Sequence, residues 1–167
     1  VNITLPPAIA KTYTIVVDKE NVTFDSKNEG YENVASQDVI ITNTGNSKVT
    51  LQTPTSLNYE IALSATELEP NGTATLTITP KGNLTAGTYN ETITINTVQN
   101  TSASTAVSFK VNGALSVSLN ASATDIIEGE SVVLTANAQG GSGNYSYTWY
   151  ADEVEDGTLQ GNEVTVT

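Results

Sequence analysis

A chain of 167 residues carrying 18 Asp and Glu against 6 basic residues has a formal net charge of −12 and a pI near 4.1, and suits two small domains better than one large one. It has no Cys, His or Met and a single Trp, which excludes disulfide staples, thiolate or imidazole metal ligands, and Ser-His or Cys-His nucleophile pairs. All six basic residues are lysines (Lys11, Lys19, Lys27, Lys48, Lys81, Lys110), so no arginine fork reads phosphate or bases, and nucleic acid and anionic membrane are poor partners.

No apolar run approaches the ~20 residues that span a bilayer, and no charged and apolar leader opens the chain. With Met absent, the 167 residues read as a mature product or an excised segment. The heavy use of Thr, Ser and Asn with little Leu is a polar β-rich composition, and it points to an extracellular, cell-surface or secreted setting.

In chain order, residues 1–18 hold two alternating strands, Val1 to Leu5 and Thr12 to Val17, parted by Pro6-Pro7, which cannot sit inside a sheet ladder. From 19 to 112 the pattern is strand after strand: Asn21 to Asp25, Asp38 to Thr44, Lys48 to Thr53, Tyr59 to Leu63, Thr73 to Thr79, Tyr89 to Asn96 and Ala106 to Val111. The turns between them are Asn28-Glu29-Gly30, Thr44-Gly45-Asn46, Pro70-Asn71-Gly72 and Lys81-Gly82-Asn83. Seven strands at this spacing predict a two-sheet sandwich. Its predicted core is Val39, Ile41, Val49, Leu51, Ile61, Leu63, Leu76, Ile78, Ile93, Ile95, Val107 and Phe109. Residues 113–167 begin a second unit with strands at Leu115 to Asn120, Ser131 to Ala136 and Tyr145 to Tyr150, the last beyond the turn Gly140-Gly141-Ser142-Gly143.

Val39-Ile40-Ile41-Thr42-Asn43-Thr44-Gly45-Asn46, Leu68-Glu69-Pro70-Asn71-Gly72-Thr73 and Gly87-Thr88-Tyr89 resemble the signatures of immunoglobulin-like repeats in large prokaryotic surface proteins. The resemblance covers about 90 residues and implies a fold and a spacer role. Ser131-Val132-Val133-Leu134-Thr135-Ala136 after Glu128-Gly129-Glu130, followed by Tyr145-Ser146-Tyr147-Thr148-Trp149, is similar to PKD-like and related domains, which implies that Trp149 anchors a core. The run Ala10 to Val17 parallels Ala86 to Ile93, and an Ala-x-Thr-Tyr opening resembles the tyrosine corner of a penultimate sandwich strand, with Tyr13 in that place.

The ends of the chain match in phase. Val164-Thr165-Val166-Thr167 set before Val1-Asn2-Ile3-Thr4-Leu5 gives one uninterrupted period-2 alternation. Residues 114–167 number 54, short of a sandwich of roughly 75 to 100, and adding 1–18 brings the count to about 72. The expectation is therefore an all-β chain of two immunoglobulin-like β-sandwiches in tandem, 19–112 and 113–167, the second incomplete and completed by strands 1–18 of a neighbouring copy. The assembly residues are Val1, Ile3, Leu5, Tyr13, Ile15, Val17, Val164 and Val166. Either the copies are covalent repeats, which the unbroken phase favours, or subunits polymerise by strand addition. A heterologous contact that does not close gives a filament, with an advance of roughly 70 to 80 Å per unit. The partner is then another copy of this chain, in a filament, stalk or surface layer. The alternative is an adhesin or glycan-binding spacer module.

Chemistry is sparse. Asp152, Glu153, Glu155 and Asp156 form the densest carboxylate cluster, but Val154 takes the middle ligand position of an EF-hand-like pattern, so a solvated acidic turn is preferred over a Ca²⁺ site. Asp18, Glu20 and Asp25 are a second, weaker calcium candidate, set against a charged linker. No other cofactor is expected. Glu67 with Glu69, or Glu128 with Glu130, sit beside turns and mark no cleft, and the chain reads as a non-enzyme. Tyr145, Tyr147 and Trp149 on one strand face are read as core rather than a sugar platform, with Tyr150 outward. Asn-x-Ser/Thr occurs at Asn2, Asn21, Asn71, Asn83, Asn90, Asn100, Asn120 and Asn144, where about four are expected by chance, so these are candidate glycosylation sites.

Overall fold

A computed structural model describes the backbone of residues 8–151 and 154–166, and side chains outside 151–160. The chain is all-β, with no helix among the described residues. It divides into two compact units, one of residues up to Ser26 with Gly30–Leu84 and Thr88–Lys110, the other of Lys27–Glu29, Thr85–Gly87 and Val111 onward.

The first stretch contains β1 (Ile15–Val17), β2 (Asn21–Thr23), β3 (Lys27–Asn28), β4 (Gln37–Asn43), β5 (Val49–Gln52), β6 (Tyr59–Leu63), β7 (Glu67–Leu68), β8 (Thr73–Pro80), β9 (Gly87–Thr97) and β10 (Ser102–Asn112). All seven strands expected between 19 and 112 are present, because alternation and turn residues agree along that whole stretch. One sheet runs β1-β4-β8-β6 and the other β2-β10-β9-β5-β7, with β3 also on β10. This reproduces the immunoglobulin arrangement in which first, second, fifth and fourth strands face a sheet of the last strands. β2 and β3 pair parallel to β10, so the leading segment changes sheet after β1. The change is fixed at Asp18, whose carboxylate accepts from Ile40 N at 2.7 Å while its own N–H donates to Ile40 O. Asp18 is thus a backbone partner at the crossover. Among the described residues no group of carboxylates is arranged to hold a metal ion.

Ten of the twelve predicted core residues are buried, and Ile61 and Leu63 are half-buried. Both lie on β6, whose ladder partner is β8 alone, so the sheet ends beside them. Ile15, Val22, Phe24, Tyr59, Leu68, Ala74 and Val111 complete the core. Phe24 and Tyr31 each meet Phe109 edge-on. The hydroxyls of Tyr31 and Tyr59 donate to the carbonyls of Lys81 and Tyr89, so each buried ring keeps its polar end satisfied.

The assignment of Tyr13, Ile15 and Val17 to a neighbouring copy is corrected here. β1 pairs antiparallel with β4 of its own chain, Ile15 opposite Asn43 and Val17 opposite Ile41, and Ile15 is buried. The cause is the Asn43-Thr44-Gly45-Asn46 turn. Asn46 Oδ1 accepts from Thr12 N at 2.7 Å and its Nδ2 donates to Ala10 O at 2.8 Å, while Thr44 N donates to Thr14 O at 2.8 Å. Gly45 lies so close under Thr12 that a β-carbon there would run into the Thr12 carbonyl. Buried Asn43 holds the turn together, donating to Ser47 O and Leu68 O and accepting from Gly45 N. Val1, Ile3 and Leu5 lie outside the described residues.

Asn43→Ala leaves those three backbone groups without their partner, and is expected to lower stability by about 1–3 kcal/mol in denaturant unfolding. A second test is pH. Partial burial pushes the Glu91 carboxyl up, but hydrogen bonds from Ser56, from the Asn58 side chain and from the Asn58 and Leu57 backbone outweigh it, so its pKa lies below the usual 4.5. A depressed carboxylate stabilises the fold above its unfolded pKa and loses that contribution as pH falls through the folded value. Glu91→Gln should therefore flatten the dependence of Tm on pH below about 4.5 without altering it near neutrality.

Candidate functional site

The second unit contains β11 (Ser116–Ala121), β12 (Val132–Gln139), β13 (Thr148–Ala151), β14 (Val154–Gln160) and β15 (Glu163–Val166). β11, β12 and β15 form an antiparallel sheet, and β13 with β14 forms a separate antiparallel pair. Strict alternation in three strands gives the larger sheet one apolar face. Val117 is opposite Ala138, Leu119 opposite Ala136, Ala121 opposite Leu134, and Leu134 and Val132 are opposite Val164 and Val166.

This face is covered unevenly. Ala136 and Val164 are buried, whereas Leu115, Val117 and Leu119 are 67%, 68% and 59% exposed. Leu115, the residue before β11, and Val117 and Leu119 within it make an apolar row at i, i+2 and i+4, the inner face of a sandwich left largely uncovered. Across from them run Tyr145, Tyr147 and Trp149. The Trp149 indole donates to Gly161 O at 3.0 Å, the Tyr145 hydroxyl to Gly140 O at 2.6 Å, and the two tyrosine rings meet edge to face at 6.5 Å. These bonds fix the rings as a wall. Between wall and sheet lies an open groove of about 660 Å³. Among the described residues β13 pairs with β14 alone, so its other edge has no ladder partner among them, and Thr148 and Trp149 of this strand line the groove.

The sequence-derived residues fall into place unequally. Tyr145, Tyr147 and Trp149 share one face as expected, but they line the open groove instead of a closed core, with Tyr145 exposed and Tyr147 and Trp149 half-buried, and Tyr150 is 62% exposed. Val164 lies on the inner face of β15 and Val166 at its rim. Asp152 and Glu153 lie outside the described residues, and Glu155 and Asp156 belong to β14, with their side chains outside the description. Glu67 and Glu69 both face Lys48, at 2.6 and 3.7 Å, on an exposed surface. Glu130 closes a turn with Ile127. The seven described Asn-x-Ser/Thr asparagines are exposed. Leu115, Val117 and Leu119 were not singled out as a site, since alternation gives a strand its inner face but not the partner that covers it.

No protein-family model and no curated protein sequence matches the chain. Among solved structures, the PapD-like domain 7 of human CEP192 aligns at a TM-score of 0.47 and 16% identity, covering 68% of this chain and 96% of that one. A protein of unknown function from Porphyromonas gingivalis W83 aligns at 0.46 and 17%, covering 62% and 50%. The four N-terminal Ig domains of Dscam1 isoform 6.9 align at 0.40 and 12%, covering 98% and 40%.

Because the groove face has so little cover, Leu119→Ser should change unfolding stability of the dilute chain by no more than about 0.5 kcal/mol. Val164→Ala, on the covered part of the same face, should cost about 2 kcal/mol. Equal losses would show that the β11 face is packed within the single chain.

Proposed function

We propose that this chain is a structural module of the cell exterior, of the immunoglobulin-like repeat type with a PKD-like second unit, and that its copies join head to tail by strand completion into a filament, stalk or surface layer. The observation that carries the reading is the bare inner face of β11, in one groove with residues of β13, a strand that pairs with β14 alone among the described residues. A sandwich face left open in this way takes an added strand more readily than any small polar ligand, because a strand satisfies the edge amides and buries the apolar row together.

The occupant is Val1–Leu5 of a neighbouring copy. Its apolar residues Val1, Ile3 and Leu5 repeat at i, i+2 and i+4, the same spacing as Leu115, Val117 and Leu119, over roughly 13 Å of strand. It carries no charged side chain, which limits repulsion from a chain of net charge −12. Pro6-Pro7 separates it from the stretch that the Asn46 turn binds to its own first unit, so donor and anchored segments are distinct. The donor is thus one strand, shorter than the 1–18 expected from sequence. Its work is mechanical and spatial rather than catalytic.

Ile3→Asp disables the head and Leu119→Asp disables the tail. Sedimentation velocity should show mass growing with concentration for the parent chain, each variant alone staying at 17.5 kDa, and an equimolar mixture of the two stopping at a dimer, since only one good head and one good tail remain. A parent chain that stays at 17.5 kDa at all concentrations, or a mixture that behaves as its components do, contradicts the proposal.

A further inference from the structure

Three non-glycine residues among those described have positive φ: Asn71 at 63°, Asn83 at 56° and Asn100 at 60°. Left-handed backbone is costly for an L-residue and is otherwise filled by glycine, as at six positions among the described residues. Each of the three asparagines is followed two places on by a hydroxyl residue, Thr73, Thr85 and Ser102. The chain has nine asparagines without that hydroxyl, all described, and none of them has positive φ. Turn chemistry alone explains an asparagine at these tips. It does not explain why only asparagines with the hydroxyl stand there.

Position also separates these three from the rest. Asn71 and Asn100 lie in the turns before β8 and β10, at one end of the first unit, and Asn83 lies between β8 and β9 at the other. At each site both the asparagine and the hydroxyl residue are exposed. Asn21, Asn90 and Asn120 are exposed as well, but they sit inside strands whose backbone is held in ladders. Asn144 lines the groove of the second unit. A transferase must enclose the peptide around its acceptor, and a turn tip offers the chain from all sides where a ladder offers one side chain.

We infer that Asn71, Asn83 and Asn100 are N-glycosylation sites, the acceptor being the side-chain amide and the donor an oligosaccharide carried on a lipid phosphate. The amide Nδ2 attacks C1 of the first sugar and a C1–N bond forms. The C1–O bond to the lipid phosphate breaks, the phosphate leaves with the electron pair, and the amide gives up one proton to solvent. Glycans so placed cap both ends of the first unit, adding uncharged bulk to a surface already strongly acidic.

The test is peptide mapping by mass spectrometry of the chain isolated from its native cells, before and after enzymatic removal of N-glycans. Glycan mass on the peptides containing Asn71, Asn83 and Asn100, replaced by a 1 Da deamidation shift after release, is the expected result. Unmodified peptides at all three overturn the inference. Thr73→Ala keeps the Asn71 turn and removes only the hydroxyl of the recognition motif. It should lose the glycan at Asn71 while folding normally, and retention of that glycan would also overturn the assignment.

Discussion

A β-sheet with one apolar face is stable only when a second layer covers it, and the second unit meets that condition in part. Three strands present the inner face, which is buried at Ala136 of β12 and Val164 of β15 but bare along β11. Each of the side chains Leu115, Val117 and Leu119 would contribute on the order of 1.5–3 kcal/mol if fully buried. That unclaimed burial, together with a β13 edge that has no ladder partner among the described residues, is the driving force on which the proposed association rests. The first unit has no such deficit: both its sheets are faced, and its largest side chains are almost wholly enclosed.

The two units therefore differ in what they can do. The first is a closed sandwich whose leading segment is tied down three times over, by the β1–β4 ladder, by Asn46 and by Asp18. The second has a partly uncovered apolar face, and the proposed strand completion rests on it. In that proposal the contact is heterologous, with no symmetry forcing it to close, and the high negative charge of the chain would work against close lateral packing of the fibres.

Much of the fold could be read from the residues. Alternation placed seven strands of the first unit, and Val39, Ile41, Leu76, Ile78, Ile95 and Phe109 are all fully enclosed as their phase requires. Phase does not report how many neighbours a strand has, which is why Ile61 and Leu63 on the edge strand β6 are only half covered. Nor does it choose between partners. Ile15 and Val17 alternate as well as any assembly strand, and the choice of β4 as their partner was made by Asn43 and Asn46, side chains that in the sequence look like ordinary turn formers. Tyr59 was missed as core because its buried ring depends on a distant carbonyl, that of Tyr89, to satisfy its hydroxyl. The bare face of β11 was legible as a face and illegible as bare, because exposure is set by strands that pack across from it.

The most direct measurement is hydrogen exchange on the full chain at low and high concentration, followed at the amides of Thr148–Ala151. These belong to β13, whose edge away from β14 has no ladder partner among the described residues and whose Thr148 and Trp149 line the groove. Strand completion predicts fast exchange on that edge when the chain is dilute and strong protection as concentration rises, with Asn43 and its neighbours in the first unit unchanged. Exchange at β13 that is equally protected, or equally fast, at every concentration would contradict it.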